Sequence, residues 1–383
     1  MKYIVSILFS LILLYAGLVV SAEEYEFSSS EQSGFQENEN DYGQNEILDS
    51  LPQEAKSKLE QEGISPENQG ALKLSFGDVL NKVWNLFLEN IKKPLKFLVS
   101  AIAIALLYSI ANSMNVDKGN NLSQTFGIVS VLAGAGILIQ AVGECVTDIS
   151  EALSQGANFM LAFIPVFAGF LASSGQLTTA GVFNGVFLGA SQVFMQIGVN
   201  LLLPLASTIL GISIAGAVNP DIKIESIAKT IKIAVTWILG LLMTIFIGLL
   251  SVQSLVANSA DSVVLKTAKF AVSSGVPIVG GSVAEAVGAV YSSVSLIKNS
   301  VGTFGIIAGI VIIAPTFFAA FSYKIAVMAS SGICDLFGAN QLSSMMKSAG
   351  EVLTIVIAVL VCFMVLSVIS IGFMLMLGAG AVV

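Results

Sequence analysis

Six ionisable side chains lie within or beside strongly apolar stretches of the chain, where their chemistry is most constrained. They are Glu144, Asp148, Glu151, Glu285, Lys298 and Lys324. A charged group at the centre of a membrane helix costs about 2.5–3.5 kcal/mol, so each must face protein, water or the interface. Glu144, Asp148 and Glu151 follow one another at helical spacing and share a face. This pattern predicts either the acidic lining of an aqueous path or an amphipathic helix end among lipid headgroups.

A second polar group lies in a stretch that a proline and glycines interrupt. Residues 270–300 are too polar for a lipid-facing helix, so we expect a broken or re-entrant pair buried among other helices. Within it, Glu285 and Lys298 form either a structural ion pair or part of a binding site. Pro165, earlier in the chain, occupies a position that corresponds to Pro277 in the proline pattern described below. The candidate buried polar site therefore comprises Pro165, Pro277, Gly280, Gly281, Glu285 and Lys298.

The composition excludes several kinds of catalytic site. The chain has no His, and its 17 basic residues are all Lys. It therefore has no Ser-His-Asp triad, no zincin motif and no arginine finger. The three cysteines, Cys145, Cys334 and Cys362, match no metal-binding spacing. Since Walker A and GxSxG sequences are missing too, we predict that the protein is not an enzyme and uses no cofactor or metal.

Small residues at helical spacing form a candidate packing surface. Gly181, Gly185 and Gly189 make a continuous ridge, and Gly305 and Gly309 repeat the spacing once. Such ridges let another helix approach closely within a membrane. The pattern leaves open whether the partner helix belongs to the same chain.

The elements that carry these residues are apolar helices. Hydrophobic residues make up 55% of the chain and charged residues 11%, against about 25% charged in soluble domains. A helix needs about 20 apolar residues to cross a bilayer. The apolar runs of this length predict an all-α fold class, a polytopic membrane helix bundle of about 7–9 spans. The run 180–218 is expected to form a tight hairpin, with Pro204 just past its middle. The spans are expected near 95–112, 126–146, 158–174, 180–199, 200–218, 231–257, 303–329 and 352–378.

Three segments precede the multi-pass membrane domain, which covers 94–383. Residues 1–22 read as a cleavable signal sequence, or else as an uncleaved anchor, and either places the following tail outside the cytoplasm. Residues 23–72 hold 13 Asp and Glu against 2 Lys. We expect an acidic, mostly disordered exported tail, with a pattern that allows a short helix around 53–62. Residues 73–93 predict an amphipathic helix, which either lies in the membrane interface or docks onto a partner protein.

Proline positions indicate two related halves within the membrane domain. Pro165 and Pro204 lie 39 residues apart, Pro277 and Pro315 lie 38 apart, and the two pairs are offset by 111–112 residues. Chance matching in an apolar sequence is the alternative. Paired broken helices at corresponding positions are where transporters place their binding sites. The two halves would cover 126–230 and 238–350.

Several short runs resemble a known family. They are LSVQS from Leu250, ADSV from Ala260, KTAK from Lys266, VPIVG from Val276 and SLIKNSVG from Ser295. Together they are similar to the core of the stage III sporulation protein AE family of endospore-forming bacteria. The runs IPVFAG from Ile164 and ASSG from Ala172 are similar to its upstream half. The resemblance covers roughly 90–380 together with the leading signal sequence.

The resemblance implies a role and a location. Members of that family are multi-pass proteins made in the mother cell during engulfment. With other stage III proteins of their operon and a forespore membrane partner, they form a channel or feeding-tube complex that sustains late forespore gene expression. The chain would then be a permease-like subunit in the mother-cell-derived membrane around the forespore, with its tail in the intermembrane space. The family assigns no catalytic residues.

Two functions therefore remain open at this point. The first is a non-enzymatic membrane subunit of that complex, whose partners are membrane lipid and the other stage III proteins. The alternative is a stand-alone secondary transporter for a small solute, which the proline pattern with Glu285 and Lys298 favours. A nucleic-acid partner is not expected, because the tail is strongly acidic.

Overall fold

The described part of the chain is helical throughout its regular elements. The computed structural model describes residues 44–61, 63–66, 85–113, 122–173, 176–218, 225–275 and 280–379. Only the backbone is described at 252–275, at 280–299 and at a few other helical positions. Residues 85–90 are a short helical stretch within the predicted amphipathic helix, whose earlier residues lie outside these ranges. The elements are α1 (Gln44–Asp49), α2 (Gln53–Gln61), α3 (Lys92–Ser113), α4 (Leu122–Ser173), α5 (Leu177–Ile197), a π-helical turn (Gly198–Leu202), α6 (Leu203–Val218), α7 (Glu225–Gly275), α8 (Gly280–Leu336) and α9 (Asn340–Ala379).

Six helical segments of the described chain are long and apolar enough to cross a membrane, which confirms the all-α polytopic bundle. They have few charged residues, and the backbone polar groups inside a helix pair with one another. Fewer segments are found than spans were predicted, because two pairs of predicted spans are joined into continuous helices. The segments are Lys92–Ala111, Gly127–Ser173, Leu177–Val218, Ser226–Ser251, Ser300–Leu336 and Asn340–Leu375.

The first joined pair is α4, which has 52 residues. The sequence predicted separate spans at 126–146 and 158–174, but the stretch between them is helical as well. That stretch holds no Pro, and Glu151, Ala152 and Leu153 within it favour helix. At 1.5 Å per residue α4 is about 78 Å long, more than twice the roughly 30 Å of hydrocarbon in a bilayer. A straight helix of that length therefore extends beyond the bilayer on at least one side.

The second joined pair is α5 and α6, and here the predicted hairpin at 180–218 is wrong. The helix continues through the π turn Gly198–Leu202 into α6, with no reversal at Pro204. A proline lacks an N–H, and its ring clashes with the carbonyl of the residue four positions earlier. The π turn widens the helix just before Pro204 and so accommodates the ring.

The core of the bundle is the pair formed by α8 and α9, which contact each other more extensively than any other two helices. A short turn joins them, with Gly338 in the left-handed region at φ 72°. α8 runs antiparallel to α4, since Tyr323 lies beside Glu144 and Gly305 beside Phe163. α9 also packs on α4 along its length, and α3, α5, α6 and α7 surround these three helices.

Two short helices of the N-terminal tail are part of the packed structure. α2 contacts α8, and α1 contacts α4. Their apolar side chains are buried, with Ile47 at 0% and Leu59 at 2% exposed. The short helix that the sequence allowed around 53–62 is α2, and residues 44–66 differ from the disorder expected for most of 23–72. The signal sequence and the remaining tail lie outside the described residues.

Candidate functional site

The middle of α4 carries a set of polar contacts that we call the mid-bundle cluster, formed by Lys93, Gln140, Glu144 and Tyr323. Lys93 Nζ lies 3.6 Å from Glu144 Oε2. Gln140 Nε2 donates to Glu144 Oε1 at 3.2 Å, and the Tyr323 hydroxyl donates to Glu144 Oε2 at 3.4 Å. The cluster thus ties α3 and α8 to α4 through one carboxylate. The next residue of α8, Lys324, is itself buried.

A cavity of about 170 Å³ lies next to this cluster. Asp148 and Glu151, the other two residues of the predicted acidic face, form part of its wall. Gln155 Nε2 donates to Glu151 Oε1 at 3.0 Å, and Lys58 Nζ donates to Glu54 Oε1 at 2.9 Å. The predicted acidic face is therefore divided between the mid-bundle cluster and the cavity. The lining residues come from three helices, namely Pro52, Glu54, Ala55 and Lys58 of the α2 segment, Asp148, Glu151, Ala152 and Gln155 of α4, and Val311, Ile312, Pro315 and Thr316 of α8.

A further ion pair lies at the same height as the mid-bundle cluster. Lys232 Nζ of α7 lies 3.1 Å from Glu351 Oε2 of α9. Gly134 of α4 packs against Leu342 and Met345 of α9, which fixes how the two helices are aligned. Because both helices run in the same direction, Glu351 of α9 lies near the height of Glu144 of α4. The bundle thus has a charged waist with apolar helix segments on both sides of it.

The residues of the predicted broken-helix site are only partly described. Pro165 lies inside α4, where the helix continues through it. Gly280 and Gly281 begin α8, and Glu285 and Lys298 follow along the same helix without described side chains, while Pro277 lies outside the described residues. An ion pair or binding site at Glu285 and Lys298 stays a prediction.

The predicted glycine ridge lies on the surface of the described bundle. Gly181, Gly185 and Gly189 are exposed, and a Cβ at any of the three would meet no described atom within 4 Å. Gly305 differs, because a Cβ there would overlap the ring of Phe163, whereas Gly309 is open. The role of the ridge in helix packing therefore stays a prediction, and Gly305 is the position where a close helix contact is found.

Sequence reasoning missed a set of buried polar groups on α5 and at Gln176, the residue just before it. Gln176 and Ser191 are buried, and their side-chain oxygens have no hydrogen-bond partner among the described residues. Asn184 Oδ1 and Gln192 Nε2 are likewise buried without a described partner. The sequence does contain a sign of these buried groups, because amide residues recur every eight positions, at 176, 184 and 192, within an apolar run. Such groups are rare in membrane helices and costly to leave unsatisfied.

The described residues offer carboxylates, amides, a phenol and lysines, and no group of three or more His, Cys, Asp or Glu that could hold a metal ion. The fold and this polar waist define a multi-pass helical membrane protein with partly exposed ion pairs at the middle of its bundle. The sequence profile of stage III sporulation protein AE matches residues 61–378, so the chain belongs to the stage III sporulation protein AE family.

One curated relative supports the same assignment. The stage III sporulation protein AE of Bacillus subtilis (strain 168) is 31% identical over 157 residues, which are 41% of this chain and 39% of that protein. The match thus spans about two fifths of the relative's length. No solved structure matches the chain.

Proposed function

We propose that this protein is a non-enzymatic membrane subunit of the channel complex that joins mother cell and forespore during sporulation. The observation that carries the proposal is the family match over residues 61–378, on a chain whose described part has six helices long and apolar enough to cross a membrane. A polytopic bundle with a polar waist and a polar cavity open to solvent is chemically suited to conduct or support passage of solutes rather than to transform them.

The partners in this proposal are the other stage III sporulation proteins of the same operon and a forespore membrane protein. The subunit would reside in the mother-cell-derived membrane around the forespore, with the N-terminal tail in the intermembrane space. Support for a water-facing tail comes from α2, which docks onto the bundle with Glu54 77% exposed in its side chain. A charged helix surface of that kind is suited to water and not to lipid.

Deletion of the gene tests this role. We expect the strain to engulf the forespore but to lose late forespore gene expression and heat-resistant spores, and expression of the intact gene from a second locus to restore both. A deletion strain with normal late expression and normal spore yield would contradict the proposal.

The second candidate is a stand-alone secondary transporter, for which the specific observation is proline within long helices, at Pro165 of α4 and Pro315 of α8. The variants Glu285→Ala and Lys298→Ala separate the two functions. A transporter with its site there would lose activity with either change, whereas a structural subunit would retain sporulation at near-normal yield. Gene neighbourhood gives a further test, since a sporulation operon supports the complex.

A further inference from the structure

The outer side of the joined helix α5–α6 is unlike a surface in contact with lipid. Its large aromatic side chains point into the bundle, with Phe183 and Phe187 at 0% and Phe194 at 2% exposed. From 181 to 215, where every residue is described, Val193 and Leu201 are the only large apolar side chains exposed. The other exposed residues are small or polar, recur mostly every four positions, and form what we call the outer stripe, namely Gly181, Gly185, Gly189, Gln196, Asn200, Pro204, Ser207, Thr208, Gly211 and Ala215.

The first part of the outer stripe lies at the depth of a lipid-facing part of α7. Phe187 of α5 contacts Phe246 of α7, with ring centroids 6.3 Å apart. Beside this contact α7 exposes Ile245 and Ile247, at 51% and 50%. The glycines of the stripe at the same depth present backbone and no side chain. Because small residues are enriched where membrane helices touch, this surface is suited to another helix and not to lipid chains.

The amide residues of the outer stripe have hydrogen-bonding groups left over. Asn200 Nδ2 donates to Gln196 Oε1 at 2.7 Å, which leaves the Gln196 Nε2 donors and Asn200 Oδ1 without a described partner. Gln192, one turn before Gln196, has a buried Nε2 that also lacks a partner among the described residues. These amides belong to an apolar run of 42 residues, where unsatisfied polar groups are costly. The stripe is thus suited to a partner that is polar as well as close.

The chemistry of the outer stripe favours a second copy of this chain as that partner. A two-fold axis places residues of an interface near their own copies, so a charged residue there would repel itself. From α5 to the end of α6 the sequence has no Asp, Glu or Lys. By contrast, α3, α7 and α9 each expose lysine, at Lys92, Lys229 and Lys347. Amides are self-complementary, since Gln196 Nε2 of each copy can donate to Asn200 Oδ1 of the other.

We propose that two copies of this chain associate in the membrane through the outer stripe of α5–α6. The two α5–α6 helices run parallel, because both copies have the same orientation in one membrane, and the glycines let their backbones approach closely. The spacing of four residues exceeds the 3.6-residue helical repeat, so the pair crosses with a right-handed twist. The pairing is independent of the proposed sporulation role, since it follows from one surface of the folded chain.

Disulfide cross-linking of the full-length protein in membranes tests the pairing. Two differently tagged copies, with the three native cysteines changed to Ala, are produced together in a host without sporulation genes. Gly181→Cys, Gly185→Cys and Gly189→Cys are tested singly, and Gly248→Cys on the exposed side of α7, two residues from Phe246, is the matched control. Oxidation should join differently tagged copies through at least one stripe position about fivefold more than through position 248, since a disulfide needs Cβ atoms about 4 Å apart.

A bulky substitution gives a second measurement in the chain with its native cysteines. Gly185→Leu should hold the two helices apart, whereas a single copy should fold as before, because a Cβ at this position meets no described atom within 4 Å. Co-purification of the two tagged forms should fall about tenfold or more with Gly185→Leu. Gly248→Leu, an exposed glycine whose Cβ is equally open, should leave co-purification unchanged.

The pairing is overturned if the stripe positions cross-link no better than position 248, or if Gly185→Leu leaves co-purification intact. Rapid labelling of the stripe cysteines by a polar maleimide without cross-linking would also overturn it, because the stripe would then line a path for water. None of these results bears on the sporulation role, which the deletion strain tests separately.

Discussion

Glycines at similar spacing have different surroundings in this bundle, and the difference lies in what faces each of them. Gly305 of α8 faces the ring of Phe163 on α4, while Gly185 of α5 and Gly309 of α8 face open space. The ring of Phe163 has little freedom to move, because it stacks against Phe159 and Phe167 at centroid distances of 5.4 and 5.6 Å. Only Gly305 among these is required by a close approach of two helices within the chain.

The first prediction compares two glycines one helical turn apart. Gly305→Ala should lower the stability of the protein in detergent by about 1–3 kcal/mol, since the new methyl group overlaps a fixed ring. Gly309→Ala should leave it unchanged or raise it by up to about 1 kcal/mol, because alanine favours helix and meets no described atom. Thermal unfolding measures both, and equal stability of the two variants would show that α4 and α8 are not in contact here.

The second prediction concerns the mid-bundle cluster. Glu144→Ala leaves Tyr323 and Gln140 without their acceptor and should cost about 1–2 kcal/mol. Lys93→Ala removes only a charge that is 74% exposed, and an exposed ion pair contributes about 1 kcal/mol or less. Thermal unfolding of the two variants should therefore rank Glu144→Ala as the less stable. The reverse order would mean that Lys93 and not Tyr323 is the main partner of Glu144.

At the scale of elements, the sequence predicted where the apolar helices are better than where they end. Seven of the eight predicted spans fall within described helices, and the eighth, 158–174, extends one residue past the end of α4. Two predicted breaks, after 146 and after 199, are missing. Polar residues such as Glu144, Asp148 and Glu151 were compatible with a helix end, and the backbone shows that α4 continues through them. Pro204 signalled a turn, and the π turn that absorbs it has no signature in a single sequence.

The tail helices were harder to predict, for a related reason. Ile47, Leu51 and Leu59 are too few to form a core by themselves, so a stretch dominated by Glu, Gln and Asn reads as disordered. Their burial comes from α4 and α8, which are far away in sequence. The acidic cavity wall could be anticipated from the spacing of Asp148 and Glu151, but the contribution of α2 to the same cavity could not.

The third prediction addresses the joined helix α5–α6. Pro204→Ala should keep the membrane span and leave thermal stability in detergent unchanged or slightly raised, because alanine restores an N–H and removes the ring that the π turn accommodates. Pro204→Gly serves as the control, since it also removes the ring but lowers helix propensity by about 1 kcal/mol relative to alanine. A large loss of stability with Pro204→Ala would indicate a reversal of the chain at this point.

At the scale of the whole molecule, the surface is of two kinds. The side covered by α1 and α2 is charged and suited to water. α7 instead exposes Trp237, Leu241 and Ile245, at 75%, 60% and 51%, as expected of a helix in contact with lipid.

The order of the helices bears on the two-repeat hypothesis. α4 and α7 begin 103 residues apart, at 122 and 225, and each is followed by a second long helical segment. The two-repeat hypothesis stays a prediction, and this spacing differs from the 111–112 residues between the prolines.

The fourth prediction is the orientation of the tail. In a chain whose three native cysteines are Ser, Ser30→Cys and Ser57→Cys should both react with an impermeant maleimide added to intact cells, because an exported tail lies outside. The two positions should agree, since residues 30–57 are too polar to cross a membrane. Reaction only after lysis would invert the topology and remove the proposed contact across the intermembrane space.

The position of the core in the chain has a consequence for how the protein is made. α8 and α9, the most extensively packed pair, leave the ribosome after α3 to α7, so those five helices enter the membrane before the centre of their bundle exists. Each of those helices must persist alone in lipid, which its internal backbone bonds allow. Because their mutual contact is local in sequence, α8 and α9 can pair as soon as they are inserted. Synthesis that stops before α9 would leave α4 and α8 in the membrane without their main partner, as a substrate for proteolysis.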